Sequence, residues 1–508
     1  MSSKQYRPWN PDQLLLFPPA MRDALDDGHI VFRIMDVVGT LDISCVTDRI
    51  QERDPRGTRP YHPRMMLTLL MYAYCSGIYS SRKIAAATND IIPFRVLTGD
   101  QHPHFTIINE FRLRHLDAFV DLFVQVLDLC GRAGLLSLEH VSLDGSKVDA
   151  HASKHKAMSY GRMQTEINRL EREIREFVAQ AERVDAEEDE LYGKGKEAHE
   201  ISEELKRRHE RLKRIAKAKD ELEQEARRAR KRELRERAEK QRKAAQTEPD
   251  PTERKRKRTR ARKAEEEADR LAEPKAETTS EEGDEGLGSD LPSHRVPTTS
   301  DGTPKPEAQR NFTDPDSRIM KRGGSYLQGY NCQIVVDEAN QIILAEAVTN
   351  QAPDQEHLIP MMDRVRRNTG QLPTRLSADA GYMSEDNVAH CEQIGIDAYI
   401  ALGRRGHGPA EDDDPPKQET EARRAMRAKL DTDEGRKLYS RRKVIVEPVF
   451  GHAKEARGFR RFSLRGLRKV ASEWTLVCLC GNLLEFNRKL FAARGFEDGD
   501  HFGVRLRG

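Results

Sequence analysis

None of the seven cysteines (45, 75, 130, 332, 391, 478 and 480) forms a CxxC pair, which excludes the usual zinc knuckle and dithiol redox site. They read as reduced, mostly buried thiols of a cytosolic protein. There is no GxxxxGK[ST] run, so a P-loop nucleotide site is disfavoured. No apolar run is long enough for a bilayer, since those around residues 65–75 and 470–490 are short or broken by Glu473, Asn482 and Glu485. A secretory leader is also missing, because Trp9, Asn10, Pro11 and Asp12 precede any apolar stretch. Hydrophobic residues make up only 37% and charged ones 34%, so part of the 508-residue chain is expected to be solvated helix or disorder. The net charge of +2 has almost no sign, so any affinity for a polyanion must come from local clustering.

The chain is long enough for two or three domains. Residues 1–135 read as all-helical. Pro63 opens a buried helix, and a later helix–turn–helix arrangement carrying Arg112 and Arg114 has the form of a DNA reader, with an ordinary bundle as the alternative. A short strand in 136–157 is expected to end at Asp144. In 158–245, Ile167, Leu170, Ile174, Phe177, Ala181 and Val184 follow a heptad-like spacing, interrupted at Gly193 and Gly195, which predicts an antiparallel helical hairpin. Its role is open between dimerisation, DNA clamping and a charged spacer. Residues 246–310, rich in charge and then in Thr, Ser, Gly and Pro, read as a disordered linker whose basic block 254–258 is a solvated run, with contact to phosphates as the alternative. Structure resumes over 311–495 with a hairpin around 338–340, a strand ending near Asp379 and further alternating helices and strands, before a tail at 496–508. Without the insert this is an α/β domain with a mixed sheet.

Three acids stand out. Asp144 follows the apolar Val141-Ser142-Leu143, Asp379 follows Leu376-Ser377-Ala378, and Glu447 precedes Pro448. Open sheets place their sites at strand ends. Asp149 competes with Asp144 but lies in the more polar stretch that follows. Because proline is best tolerated in a first turn, Glu447 is expected near a helix start, with Lys454 seven residues on and on the same face. From Arg436 to Lys469 there are twelve lysines and arginines against two glutamates, a stripe that includes Lys443, Arg457, Arg460 and Arg461 and suits phosphates. Phe459 and Phe462 read as core. Carboxylates beside a cationic stripe are the parts that two-metal phosphoryl transfer on DNA requires.

Several segments together resemble the DDE transposases of bacterial insertion sequences: Leu143-Asp144-Gly145-Ser146-Lys147, Asn311 to Arg318, Gln328-Gly329-Tyr330-Asn331, Ala378-Asp379-Ala380-Gly381-Tyr382, and Tyr439 to Lys454. The resemblance covers most of the chain outside the insert. It implies an RNase H-like catalytic domain interrupted by the coiled-coil-like insert, preceded by an all-α DNA-binding domain. It implies Asp144, Asp379 and Glu447 as a metal triad for two Mg²⁺ ions, with Mn²⁺ as a substitute, and places Tyr439, Arg442 and Lys454 against the element's ends. The commoner spacing puts arginine four residues before the glutamate, where this chain has Lys443, so which of Arg442 and Lys443 approaches DNA stays open. The implied partners are double-stranded DNA, both element ends and target, and a second copy of the chain. The implied location is the bacterial cytoplasm at the nucleoid. The alternative is a transposase-derived DNA-binding protein or repressor without catalysis.

Overall fold

In the computed structural model, residues 20–51, 60–192, 203–271, 291–403 and 420–493 are described. The expected breaks at Gly193 and Gly195, part of the Thr/Ser/Gly-rich linker and the tail lie outside them. The chain divides into two units: Met1–Leu135 with Glu455–Gly458 and Leu476–Gly508, and Leu136–Lys454 with Phe459–Thr475. The segment expected at 311–495 therefore does not form one unit.

The first unit is helical: α1 (Ile30–Thr40), α2 (Ser44–Gln51), α3 (Pro63–Cys75), α4 (Ser81–Asp90), α5 (Ile92–Thr98), α6 (Phe105–Arg114) and α7 (Ala118–Arg132). Pro63 sits in the first turn of α3, where its missing N–H costs nothing, and every residue from Met66 to Cys75 is buried. Arg112 is only 4% exposed and donates to the Tyr74 hydroxyl, the Tyr79 carbonyl and Asn109 Oδ1. It holds α3 to α6 and is not placed to meet DNA, which corrects the expectation for this residue. Arg114 is exposed beside Glu110 at 3.2 Å.

The second unit is built on a mixed sheet. Its strands are β1 (His140–Asp149), β4 (Arg318–Arg322), β5 (Ser325–Asp337), β6 (Ile343–Thr349), β7 (Arg375–Ala378) and β8 (Asp397–Ile400), while β2 (Ala157–Ser159) and β3 (Gln309–Asn311) form a separate ribbon. The order is β4-β5-β1-β7-β8, and β6 pairs with the second half of β5. β5 runs antiparallel to β1, β4 and β6, whereas β7 and β8 run parallel to β1. β5 and β6 are almost wholly buried, β6 as an apolar run around Glu346 and β5 with the polar Gln328, Asn331, Gln333 and Asp337 buried among its apolar residues. β1 does not stop at Asp144. It continues to Asp149, because β5 pairs with it along that length and Gly329 allows the approach: a Cβ there would strike the Val148 carbonyl.

The insert leaves after β2 and returns at β3, and the β2–β3 ribbon closes its base. α8 (Tyr160–Tyr192) packs on α9 (Glu203–Gln246), with Met163, Leu170, Ile215 and Ala218 buried together. The ion pairs Arg211–Glu166 and Arg208–Glu173 fix the antiparallel register. The buried part of the predicted heptad seam is thus consumed inside the chain. Arg310 of the ribbon holds Glu221 and Glu225 of α9, and Arg318 of β4 ties Glu225 to the sheet.

The linker expected at 246–310 contains a helix, α10 (Pro251–Arg270), capped by Asp250 and opened by Pro251. Ala261, Ala264 and Ala268 make a small-residue seam that packs on Leu234 and Ala238 of α9. α11 (Leu358–Thr369), α12 (Glu385–Gln393) and α13 (Glu421–Asp431) follow. α14 (Asp433–Gly451) and α15 (Leu467–Ala493) complete the order. Among the described residues no helix is long and apolar enough to cross a membrane.

Candidate active site at the carboxyl ends of parallel strands

The last matched pair of the parallel strands β1 and β7 is Leu143 with Ala378. Asp144 is the next residue of β1, and Asp379 is the first residue past β7, so the register carries both acids to the point where strands ~4.8 Å apart stop pairing. Asp379 accepts from the Gly381 amide at 2.8 Å, and Asp144 from the Gly145 amide at 2.8 Å. Burial pushes the Asp144 carboxyl up to about 6; Arg442 opposes this, and the charges of Asp379 and Asp354 add to it. Arg442 Nη1 lies 3.1 Å from Asp144 Oδ2. Of the two cations left open by the sequence, the structure turns Arg442 to the acid and leaves Lys443 exposed. Tyr439 packs against the Arg442 guanidinium, 6.0 Å from ring centroid to Cζ.

A third carboxylate lies beneath the pair, and nothing in the sequence singles it out. Asp354 Oδ1 accepts from Asn331 Nδ2 at 2.6 Å, Gln333 Nε2 at 2.8 Å and Lys147 Nζ at 3.2 Å. Tyr382 in turn donates to Gln333 Oε1. The network presses against both acidic turns. A Cβ on Gly145 would meet Gln333 Nε2 and Asp354 Oδ1, the latter at 2.9 Å, and a Cβ on Gly381 would come within 3.5 Å of Asp354. Gln333 is fully buried and bonded at both ends, so it has no room to retreat. Gly145→Ala is therefore expected to lower the rate of the site's reaction by about 10²-fold through a displacement of ~1 Å. The overpacking should also cost about 1–3 kcal/mol of stability, and urea melts run beside the rate assay check both.

Glu447 departs from expectation. It lies in the penultimate turn of α14, not near its start, and is exposed. Pro448 is accommodated inside the helix because the Val444 carbonyl, whose i+4 donor the proline removes, accepts from Gln341 Nε2 at 3.2 Å. Gln341 reaches it from the β5–β6 turn in a left-handed conformation, φ 57°. A π-helical turn, His452–Ala456, then takes Lys454 out of the regular helical repeat that would set it on the face of Glu447. Lys454 is half-buried and donates to Ser146 Oγ, and burial lowers its pKa. Nearby Arg322 pairs with Asp149 at 3.0 Å. Asp149, the competitor for first acid, is thus engaged away from the pair.

Of the remaining basic residues, Arg460 and Arg461 are exposed, while Arg457 is 6% exposed and donates to the Val477 carbonyl at 2.9 Å. Arg457 is a structural arginine, which corrects its assignment to DNA. Phe459 and Phe462 pack edge-on at 5.3 Å in the core. The Asn311 to Arg318 segment is also architectural: Asp314 accepts from the Tyr330 hydroxyl and the Gly466 amide, and Asp316 caps the Leu467 amide of α15.

The Asp144 carboxyl, raised chiefly by burial and further by the charge of Asp379, forms with Asp379 an oxygen donor set that a hard divalent cation relieves, so the pair fits such an ion. Among the described residues no group of three or more His, Cys, Asp or Glu side chains is arranged to hold a metal. The structure brings together two of the three expected acids, and Glu447 is not clustered with them.

The profile of the transposase DDE domain family matches residues 290–483, a span that contains Asp379 and Glu447. A second transposase domain family, DUF772, matches residues 19–114 in the helical unit. The chain is 24% identical over 180 residues to a transposase for the insertion sequence element IS1106 from Neisseria meningitidis serogroup B, covering 35% of this chain and 54% of that protein. The match thus spans about half the relative's length. No solved structure matches. Asp144 lies upstream of the matched DDE segment, and the pairing of β1 with β5 and β7 carries it back across the insert.

Proposed function

We propose that this chain, which belongs to the DDE transposases of insertion sequences, cuts the ends of its own element and joins the exposed 3′-hydroxyls to target DNA. The observation that carries the reading is the register that brings Asp144, within β1, and Asp379, just past β7, to the point where the parallel pairing of the two strands stops. A three-strand antiparallel meander extended by two parallel strands supports an RNase H-like catalytic domain.

Asp144 and Asp379 would hold Mg²⁺, two ions in the working complex with Mn²⁺ as a substitute, and Glu447 would complete the set once DNA is bound. The metal ions supply an activated attacking oxygen and charge stabilisation at the leaving oxygen. The chain's own residues do the positioning. Arg442 fixes the orientation of Asp144 and balances its charge. The Asp354 network holds the Gly145 and Gly381 turns. Lys454, aimed at Ser146 beside the first acid, and the exposed Lys443, Arg460 and Arg461 meet phosphates, and Tyr439 lines the approach. Arg114 would meet DNA from the helical unit. Both ends must be held together for such a reaction, so a homodimer on DNA is part of the proposal, as is action at the bacterial nucleoid.

The test is incubation of the purified chain with duplexes carrying the sequences that flank its gene. Mg²⁺-dependent nicks at the ends, absent with EDTA, are expected. Glu447→Gln should reduce nicking by about 10³-fold, the loss of several kcal/mol of transition-state stabilisation, while DNA binding persists. Full nicking by Glu447→Gln together with loss in Asp354→Asn would move the third role to Asp354. No nicking by the wild-type chain would reject the reading.

A further inference from the structure

The arm formed by the end of α9 and the start of α10 carries a charge pattern that its own folding opposes. Residues 237–263 hold twelve lysines and arginines against four acids, a net +8 in a chain whose total is +2. Within α10, residues 254–263 contain eight cations and no acid, and the acids Glu265, Glu266, Glu267 and Asp269 follow. Asp250 and Glu253 start the helix as its dipole favours, but the cation block then precedes the acids, so most of the positive charge sits in the N-terminal half. Arg237, Lys240, Arg242 and Lys243 of α9 flank the same seam, so like charges are brought together.

Packing places this face outward and holds it straight. The Ala261, Ala264 and Ala268 seam is buried on α9, and the acids of the last turns pair back onto α9 through Arg230–Glu267 and Arg242–Glu265. Lys255, Arg258, Arg260 and Lys263 are exposed, and among the described residues none has an acidic partner within 4 Å. A solubility device would not need four exposed cations without acidic partners within nine residues of one helix. Residues 254–263 extend about 14 Å, a length that faces several phosphates of a duplex.

We propose that this arm is a second DNA-contacting surface, gripping the sugar–phosphate backbone of double-stranded DNA away from the Asp144–Asp379 site. The inference rests on the reading that the chain acts on DNA, and it assigns a role to the insert that the catalytic residues do not require. Because the arm meets phosphates, its grip is independent of sequence and adds reach along the duplex.

The test compares the full-length wild type with a variant carrying Lys255→Gln, Arg258→Gln, Arg260→Gln and Lys263→Gln. Binding to a duplex of arbitrary sequence is followed by fluorescence anisotropy over a salt series. The slope of log K against log salt should become shallower by about 2 to 4, at ~0.9 for each phosphate no longer neutralised, with unchanged helical circular dichroism. A control variant with Arg172→Gln, Arg175→Gln, Lys213→Gln and Arg214→Gln, exposed cations elsewhere on the insert, should keep the wild-type slope. A wild type that binds DNA with the same slope as the arm variant overturns the inference and leaves the transposase reading standing. So does an equally shallow slope in the control. A wild type that binds no DNA overturns both.

Discussion

Asp144→Asn is expected to abolish strand cleavage, by about 10³-fold or more, and at the same time to stabilise the metal-free fold near neutral pH. The second effect follows from the carboxyl's environment. Its pKa is raised from 3.8 to about 6 in the fold, chiefly by burial. A carboxyl whose folded pKa exceeds its unfolded value binds more protons when folded, so stability falls as pH rises between about 4 and 6. Once both values are passed, the cost is on the order of 2–3 kcal/mol for two units. Asparagine keeps the shape without the charge, although Arg442 loses its partner and part of the gain with it. Urea melts in EDTA at pH 4 and pH 7.5 check this. The wild type should lose stability relative to Asp144→Asn on going to the higher pH, and parallel behaviour would show that Asp144 ionises freely.

The second large effect is structural. Trp474→Ala should cost about 3–5 kcal/mol in the stability of the catalytic unit, as for other fully buried aromatic truncations. Trp474 is 2% exposed, stacks on Phe450 at 6.2 Å and packs against Phe459 at 6.1 Å. Its indole N–H points to the Gln333 carbonyl of β5. It therefore joins α14, α15 and the Phe459–Phe462 loop to the strand whose Gln333 side chain supports Asp354. Denaturant melts monitored by the remaining chromophores and by circular dichroism should show the loss. The active-site network should loosen with it, so residual activity at low temperature should also fall.

Much of this site is legible in the sequence. Asp144 and Asp379 each follow a short apolar run, and parallel pairing of those runs brings the acids together, although β1 continues past Asp144 to Asp149. What stays hidden depends on partners distant in sequence. Asp354 precedes a helix and reads as a cap, since only the fold shows Asn331, Gln333 and Lys147 converging on it. The position of Glu447 is misleading because proline signals a first turn, and nothing near Pro448 announces that Gln341 will satisfy the freed carbonyl. Arg112 and Arg457 look like surface cations because arginine usually is one, yet both serve buried carbonyls. α10 escapes notice because its seam is alanine, which gives little apolar period among lysines and arginines. The antiparallel hairpin of α8 and α9, with larger apolar residues, is readable.

The central claim is that Asp144 and Asp379 act as one cation-binding pair, and calorimetric titration of Mn²⁺ into the full-length chain tests it most directly. The wild type should bind, while Asp144→Asn and Asp379→Asn should each lose at least about tenfold in affinity, or ~1.4 kcal/mol. Equal binding by the wild type and both variants would contradict the account and place any metal site elsewhere in the chain.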